Sequence, residues 1–296
     1  MILTVTANPT IDKVYFVDEL RPGEVHRPTY MTASAGGKGI NVAKVAHTLG
    51  ESVLAMGFVG GYTGRFVVEQ VRSLGIEADF TEVTGETRVN VNISDASGRS
   101  TELLETGPAV SDAERDAFYG QYEKQLKRAD IVCLSGSLPK GLDGSFYAKL
   151  IAMAKAQGKR VIVDSVEDVR RCAPFMIKPN KDEIGDADIK KALLSMREQG
   201  IELPLTTMGK DGALALIDGQ FLKFTPPVVT VKNAVGSGDS TVAGIAVGLC
   251  RGMSYADAVR LGMAAGVANT QFEQTGRVSV ELIDRYIKLI QTEELV

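Results

Sequence analysis

Four times this chain passes from a short extended stretch, through a corner marked by glycine, serine or proline, towards a helical period. The corners are "AGGKGIN" (Ala35–Asn41), "SGSLPKG" (Ser135–Gly141), "KPNKDE" (Lys178–Glu183) and "NAVGSGDS" (Asn233–Ser240). Strands separated by helical segments of about ten to fifteen residues argue for a largely parallel sheet, each helix carrying the chain back across a face. The repeated pattern therefore predicts an α/β fold, with a mostly parallel central sheet and helices on both faces.

The rest of the order agrees. Strands are expected at Ile2–Ala7, "SVLAMGFVGG", "DIVCLSGSLP", "RVIVDS", "FMIKPN" and "LPLTTMG", with a hairpin at "ALALIDGQFLKF". Helices are expected at "GGKGINVAKVAHTLG", "TGRFVVEQVRSLG", about Asp112–Arg128, "SFYAKLIAMAKAQG", Asp186–Gln199 and "STVAGIAVGLC". Apolar residues at helical spacing (Ile40, Val42, Ala43, Val45, Ala46, Leu49) support the first of these. Two segments with local alternation break the rhythm, at about 11–35 and 87–104, the second around a "DASG" turn. They predict a small sheet beside a single domain spanning 1–296, placed to cover a site.

Composition narrows the partners. A formal net charge of -4 argues against nucleic-acid or membrane-surface binding, though not against a local basic pocket. No apolar run approaches the roughly 18 residues that span a bilayer, and "MILTVTANPTID" lacks the basic start of a signal peptide. The 3 cysteines, Cys133, Cys172 and Cys250, form no Cys-x-x-Cys pair, which suits reduced thiols in a cytoplasmic protein.

Chemistry concentrates at the corners, where open α/β sheets bind ligands. At Gly236-Ser237-Gly238-Asp239 the free amides of a helix start, with the helix dipole, favour an anion, and glycine lets a phosphate oxygen approach the backbone. Asp239 is there either as a first-turn acid or as a general base beside a phosphate-binding turn. Asn180 and Glu183 have the spacing of a capped helix start, and equally of an oxygen pair for Mg²⁺. "GGKGIN" lacks the Walker A spacing, and holds Lys38 and Asn41 for a small polar substrate or forms a tight packing turn. Gly209 and Gly212 in "TMGKDGALAL" flank a turn between strands that suits a nucleotide bed or a plain hairpin. Asp12 and Arg88 are isolated charges, which alone read as solvated surface.

Together these residues resemble the ribokinase (PfkB) family of sugar kinases, "GGKGINVAKVAHTLG" matching its N-terminal signature and "NAVGSGDSTVAGIAVGL" its C-terminal one. Through "GETRVNVNI", "TELLETGP" and "SGSLPKG" the chain is most similar to the branch of 1-phosphofructokinases and tagatose-6-phosphate kinases. The resemblance implies an α/β fold with a β lid, ATP and Mg²⁺, and phosphoryl transfer to a hydroxyl of a ketohexose phosphate. It implies that Asp239 is the base, that the amides of Gly236, Ser237 and Gly238 hold the transferring phosphoryl group, and that Asn180 and Glu183 organise Mg²⁺. Asp12, Gly37, Lys38, Asn41, Arg88, Asn90 and Ser137 match the sugar-phosphate site. Lys178, Asn180 and Thr207–Gly212 match the nucleotide side, with Met263 and Val267 lining an adenine pocket.

Fructose 1-phosphate is the expected substrate, because Arg88 and Asn90 lie in the lid segment nearest the sugar; the alternative is tagatose 6-phosphate. Relatives also suggest a homodimer formed through the lid. Three features depart from the family pattern: Asn233 where many relatives have Asp, a short "IGDADIKKALL", and Pro204 within a strand. Two other readings compete: a dehydrogenase, whose Gly-x-Gly-x-x-Gly fingerprint is missing after the first strand, and a sugar-phosphate sensor without turnover.

Overall fold

The computed structural model describes residues 1–164, 167–185 and 187–295. In chain order it begins with β1 (Ile2–Thr6), β2 (Thr10–Val17), β3 (Tyr30–Gly36), α1 (Lys38–Thr48), β4 (Val53–Val59) and α2 (Gly61–Ser73). There follow β5 (Glu77–Ala78), β6 (Thr81–Glu82), β7 (Arg88–Asp95), β8 (Ser100–Leu104), α3 (Asp112–Leu126), β9 (Ile131–Ser135), α4 (Gly144–Ala156) and β10 (Arg160–Asp164). A 3₁₀ segment, Glu167–Cys172, leads to β11 (Met176–Ile177), the one-turn α5 (Lys181–Ile184), α6 (Ile189–Glu198) and β12 (Leu203–Thr207). The chain closes with β13 (Ala213–Ile217), β14 (Gln220–Thr225), α7 (Ser237–Cys250), α8 (Tyr255–Asn269), α9 (Val280–Ile287) and β15 (Gln291–Leu295).

The main sheet runs β15-β14-β13-β12-β11-β10-β9-β1-β4-β5, with β6 also on β4. From β12 to β5 neighbouring strands are parallel; β13, β14 and β15 are added antiparallel. Side chains alternate through it: Ile2 faces a core shared with α1, α2, α7, α8 and α9, whereas Leu3 and Val5 face one shared with α3, α4 and α6. Both faces of the sheet are therefore buried, as a parallel sheet requires.

The alternating segments form a second sheet, ordered β3-β2-β7-β8. Its central pair, β2 and β7, is parallel and sets Asp12 beside Asn90.

Some details differ from the sequence expectation. The helix expected from Asp186 begins at Ile189, after Asp188 accepts a hydrogen bond from the Lys191 amide at 3.2 Å. Asp186 itself lies outside the described residues, as does Ser165 of the "RVIVDS" strand. The polar "QTEEL" segment has no strand signal, yet pairs with β14 as β15, Glu293 opposite Lys223. Pro204 is tolerated inside the sheet for a reason of register. The Leu203 amide donates towards β11, to Phe175 O at 2.9 Å. Position 204 therefore turns its nitrogen to the other side, where the β13 ladder starts only at Leu205.

α7 is buried along nearly its whole length because α8 approaches it through small residues. A Cβ on Gly244 would lie 2.7 Å from Gly262 Cα. The two helices run in opposite directions, so the start of α7 meets the end of α8. That junction lies at the carboxyl ends of the parallel strands, beneath the second sheet.

Candidate active site

A cleft of about 1450 Å³ opens between the carboxyl edge of the main sheet and the smaller sheet. Every site residue expected from the sequence lines it, from Asp12 and Arg88 at one end to Met263 and Val267 at the other.

Its floor is the start of α7. Gly236 has φ 83, a left-handed conformation that glycine adopts without strain, and a Cβ there would lie 2.5 Å from Thr275 Cγ2. The helix has no side-chain cap. The Ser237 amide turns back to Ala234 O at 3.2 Å, and its hydroxyl donates to the same oxygen at 2.7 Å. Among the described residues nothing accepts from the amides of Gly236, Gly238 and Asp239. The uncommitted donors are thus those three, a set displaced by one residue from the Gly236–Ser237–Gly238 set that the sequence suggested.

Asp239 does not cap its own helix. Its carboxylate is buried, 6% exposed, and Oδ2 accepts from Asn41 Nδ2 at 2.9 Å. Burial, and then the charge of Asp164, pushes its pKa up to about 6; the Asn41 bond, Lys38 and Lys178 oppose the rise. An acid acting only as a cap accepts from helix amides and is held below the ordinary carboxylate range, as Asp143 is by Ser145. Asp239 is instead poised to exchange a proton near neutral pH.

Asp164, at the end of β10, went unread in the sequence although a strand's carboxyl end is where such an acid counts. It is paired twice, with Lys178 Nζ at 2.8 Å and with Lys38 Nζ at 3.3 Å. Burial alone would raise its pKa, but the two ammonium groups outweigh that and hold it below the ordinary carboxylate range. Lys178 Nζ lies 3.4 Å from where a Gly238 Cβ would be, so this cation sits directly against the uncapped turn. Lys38 feels Asp164, Asp239 and Glu183, whereas Arg88 feels Asp12, which sets the two cations at different parts of the cleft.

The end beneath the smaller sheet is rich in polar atoms. Asp12 lies against Gly36, and Asn90 Nδ2 donates to its Oδ1 at 3.3 Å. Burial raises the Asp12 pKa, opposed first by Lys44, another residue the sequence reading passed over. Lys44 reaches up from α1 and donates to Ala35 O at 2.6 Å, tying that helix to the smaller sheet. Arg88 Nη2 donates to Asn8 O at 2.9 Å. Arg88 Nε, Asn90 Oδ1 and Asn41 Oδ1 are buried without a partner among the described residues. Unpaired buried polar atoms lining a cleft call for ligand hydroxyls or waters. Gly37 and the exposed Ser137 complete the rim.

On the opposite side, Asn180 and Glu183 do meet. Asn180 Oδ1 accepts from the Glu183 amide at 2.9 Å, and Glu183 Oε2 accepts from the Asn180 amide at 2.8 Å, a capping box at the start of α5. Both side chains line the cleft, so the capping box brings an amide oxygen and a carboxylate together at its wall. Among the described residues no group of three or more His, Cys, Asp or Glu could form a metal cage. This donor set fits Mg²⁺, which keeps most of its waters and takes few protein ligands. Thr207, Gly209 and Gly212 form the adjoining turn, closed by Met208 N to Gly212 O at 2.7 Å, with Met263 and Val267 beyond it.

Asn233, the unexplained departure, is held inside the loop before α7. Its Nδ2 donates to Glu273 O at 2.8 Å and its Oδ1 accepts from the Val235 amide at 2.9 Å.

Comparison with known proteins places these features. A sequence profile described as pfkB family carbohydrate kinase matches residues 4–281. The chain is 37% identical to a tagatose-6-phosphate kinase of Staphylococcus epidermidis, covering 100% of both sequences. Its structure superposes on a possible 1-phosphofructokinase of Thermotoga maritima with a TM-score of 0.90 at 26% identity, covering 100% of this chain and 99% of the other. On Escherichia coli phosphofructokinase-2 in complex with fructose-6-phosphate the TM-score is 0.87 at 27% identity, covering 97% and 98%.

Proposed function

The chain belongs to the pfkB family of carbohydrate kinases, and from that membership we propose that it moves the terminal phosphoryl group of ATP onto a primary hydroxyl of a ketohexose phosphate, giving a 1,6-bisphosphate. The observation that carries this reading is Asp239, a buried carboxylate with a raised pKa at an uncapped helix start, held by Asn41 instead of by its own helix. Family membership removes the dehydrogenase reading, and the proton-accepting state of Asp239 argues against a sensor.

In this mechanism Asp239 accepts the proton of the attacking hydroxyl as its oxygen bonds to phosphorus and the bond to the leaving diphosphate breaks. The amides of Gly236, Gly238 and Asp239 receive the equatorial oxygens, with Lys178 and Lys38 adding positive charge from either side of Asp164. Asn180 and Glu183 would hold Mg²⁺, which when bound would supply charge neutralisation for the phosphates. The sugar is held by Asp12, Asn41 and Asn90, with Arg88 on its phosphate and Gly37 and Ser137 at the rim. Thr207–Gly212, Met263 and Val267 bed the nucleotide. The smaller sheet acts as a lid that excludes water from the reaction.

Within the substrate class, fructose 1-phosphate is the first reading, on the lid residues Arg88 and Asn90. Tagatose 6-phosphate is the second, favoured by the tagatose-6-phosphate kinase that matches over the full length. Both present a phosphate at one end and a free primary hydroxyl at the other. A coupled assay comparing kcat/KM for fructose 1-phosphate, tagatose 6-phosphate and fructose 6-phosphate orders them, and no bisphosphate from any of the three refutes the proposal.

Arg88→Ala tests the phosphate end. A lost charge-assisted hydrogen bond is worth roughly 1.5–3 kcal/mol, so the sugar-phosphate KM is expected to rise roughly 10- to 100-fold. The ATP KM stays near wild type; a raised ATP KM with an unchanged sugar KM contradicts the assignment.

The lid also supports a homodimer. Its edge strands β3 and β8 leave Tyr30, Met31, Leu103 and Leu104 exposed, and unpaired edges with apolar side chains invite pairing. Sedimentation of a Leu103→Glu/Leu104→Glu variant is expected to show monomer where the wild type shows dimer. We place the reaction in the cytoplasm, in keeping with three unpaired cysteines and with the absence, among the described residues, of any helix long and apolar enough to cross a membrane.

A further inference from the structure

The direction of the amides at the start of α7 is set by residues 226–236, a loop without regular secondary structure. Such a loop does not hold its own carbonyls and amides in place; something else must. The backbone ties it at Thr270 O, which accepts from the Lys232 amide at 2.8 Å; the rest of the holding is done by side-chain amides. Gln271 Nε2 donates to Thr230 O at 3.1 Å, and Asn233 Nδ2 donates to Glu273 O at 2.8 Å. The third, Asn269 Nδ2, donates to Val235 O at 2.9 Å, one residue before Gly236.

Asn269 differs from the other two. It is 0% exposed, on the last turn of α8, a helix otherwise packed through small residues. Its second amide atom is also engaged, Oδ1 accepting from the Gly276 amide at 2.9 Å. Gly276, with φ 69, backs directly onto Asn41: a Cβ there would lie 3.0 Å from Asn41 Oδ1 and 3.1 Å from Asn41 Cα. Asn41 in turn donates to Asp239. One buried side chain therefore braces two things at once, the approach to the amide turn and the wall behind the partner of the base.

We infer that Asn269 is a positioning residue for phosphoryl transfer, fixing the Gly236 turn through Val235 O and the Asn41–Asp239 pair through Gly276. It lies behind the cleft lining and acts only through these neighbours. The chemistry demands an amide: a carboxylate in its place would set a lone pair against Val235 O, and an alkyl group would leave both backbone partners unpaired and buried. Donors aimed at a developing phosphoryl charge work only within a few tenths of an ångström of their intended place, and a misplacement of about 1 Å loses roughly 10²-fold in rate. Of the sugar's contacts only Asn41 lies against this brace; Asp12, Asn90 and Arg88, which carry the rest of ground-state binding, do not touch it.

The inference rests on the kinase reading above, and two variants of the full chain separate them. Asn269→Ala removes both contacts; Asn269→Asp keeps the volume and the acceptor for Gly276, and serves where the alanine variant fails to fold. Both are expected to lower kcat roughly 10- to 100-fold, with the sugar-phosphate KM within about twofold of wild type. Amide hydrogen exchange is expected to quicken at 234–238 in both variants, to quicken at 274–277 in Asn269→Ala, and to stay unchanged in the smaller sheet. A folded Asn269→Asp protein with wild-type kcat overturns the inference. So does a variant that loses only thermal stability, or one whose exchange is unaltered in both segments. If the wild type phosphorylates no ketohexose phosphate, the kinase reading fails, and hydrogen exchange still decides whether Asn269 is the brace.

Discussion

Asp239→Asn is expected to lower kcat by roughly 10²–10⁴-fold, the range for loss of a general base, while both substrates still bind. The substitution is nearly isosteric, and the new amide oxygen can still accept from Asn41 Nδ2, so the wall of the cleft survives. What disappears is the proton acceptor. The wild-type rate also carries a pH signature. Burial and the charge of Asp164 bring Asp239 to about 6, and only the ionised form accepts a proton. kcat should therefore fall as pH drops through about 6, roughly tenfold per unit below it, and level off above. The residual rate of Asp239→Asn should lack this limb. A pH–rate profile with unchanged turnover, or with the same acidic limb in both proteins, removes Asp239 from the mechanism.

What the sequence made legible, and what it hid, divides along a physical line. The corners were readable because glycine, proline and a following helical period leave local marks, and four such marks in order argue for a parallel sheet with the corners together at one edge. The lid strands were readable from alternation. Asp164 was not, although its strand was, because an acid at a strand end looks like any surface acid until the lysines from two other corners close on it. Lys44 hid in a helical period as one more solvated charge. Asn233 stood out only as a departure, and Asn269 not at all, for a stronger reason: each bonds to a backbone carbonyl tens of residues away, and a backbone partner leaves no mark in the sequence. β15 was missed because its pairing, on an antiparallel edge half open to water, requires no apolar pattern. The same limit applies to the turn at the start of α7, where the motif pointed to the amide of Ser237: local hydrogen bonding engages that amide and leaves the amide of Asp239 uncommitted among the described residues.

Asp164→Asn should have two separable consequences, one on the fold and one on the base. Asp164 and Lys178 are each only 4% exposed at the side chain, so the substitution leaves a buried ammonium without its counter-charge. Breaking a buried pair in this way costs roughly 3–5 kcal/mol of folding stability. Lys38, 42% exposed, adds little to that loss because water screens it. Urea denaturation followed by fluorescence or circular dichroism measures the difference, and a change under about 1 kcal/mol would mean that solvent or a rearranged partner compensates the lysine. The effect on the base has the opposite sense to the usual loss of function. Asp164 is, after burial, the main cause of the raised pKa of Asp239. Removing its charge, and freeing Lys38 and Lys178 to act on Asp239 alone, moves the acidic limb of the rate profile below about 6. At pH 5 the variant should thus retain a larger fraction of its own plateau rate than the wild type does, even though its plateau is lower. A limb that stays in place, or moves up, would show that Asp164 does not reach Asp239 electrostatically, and burial alone would then account for the poised acid.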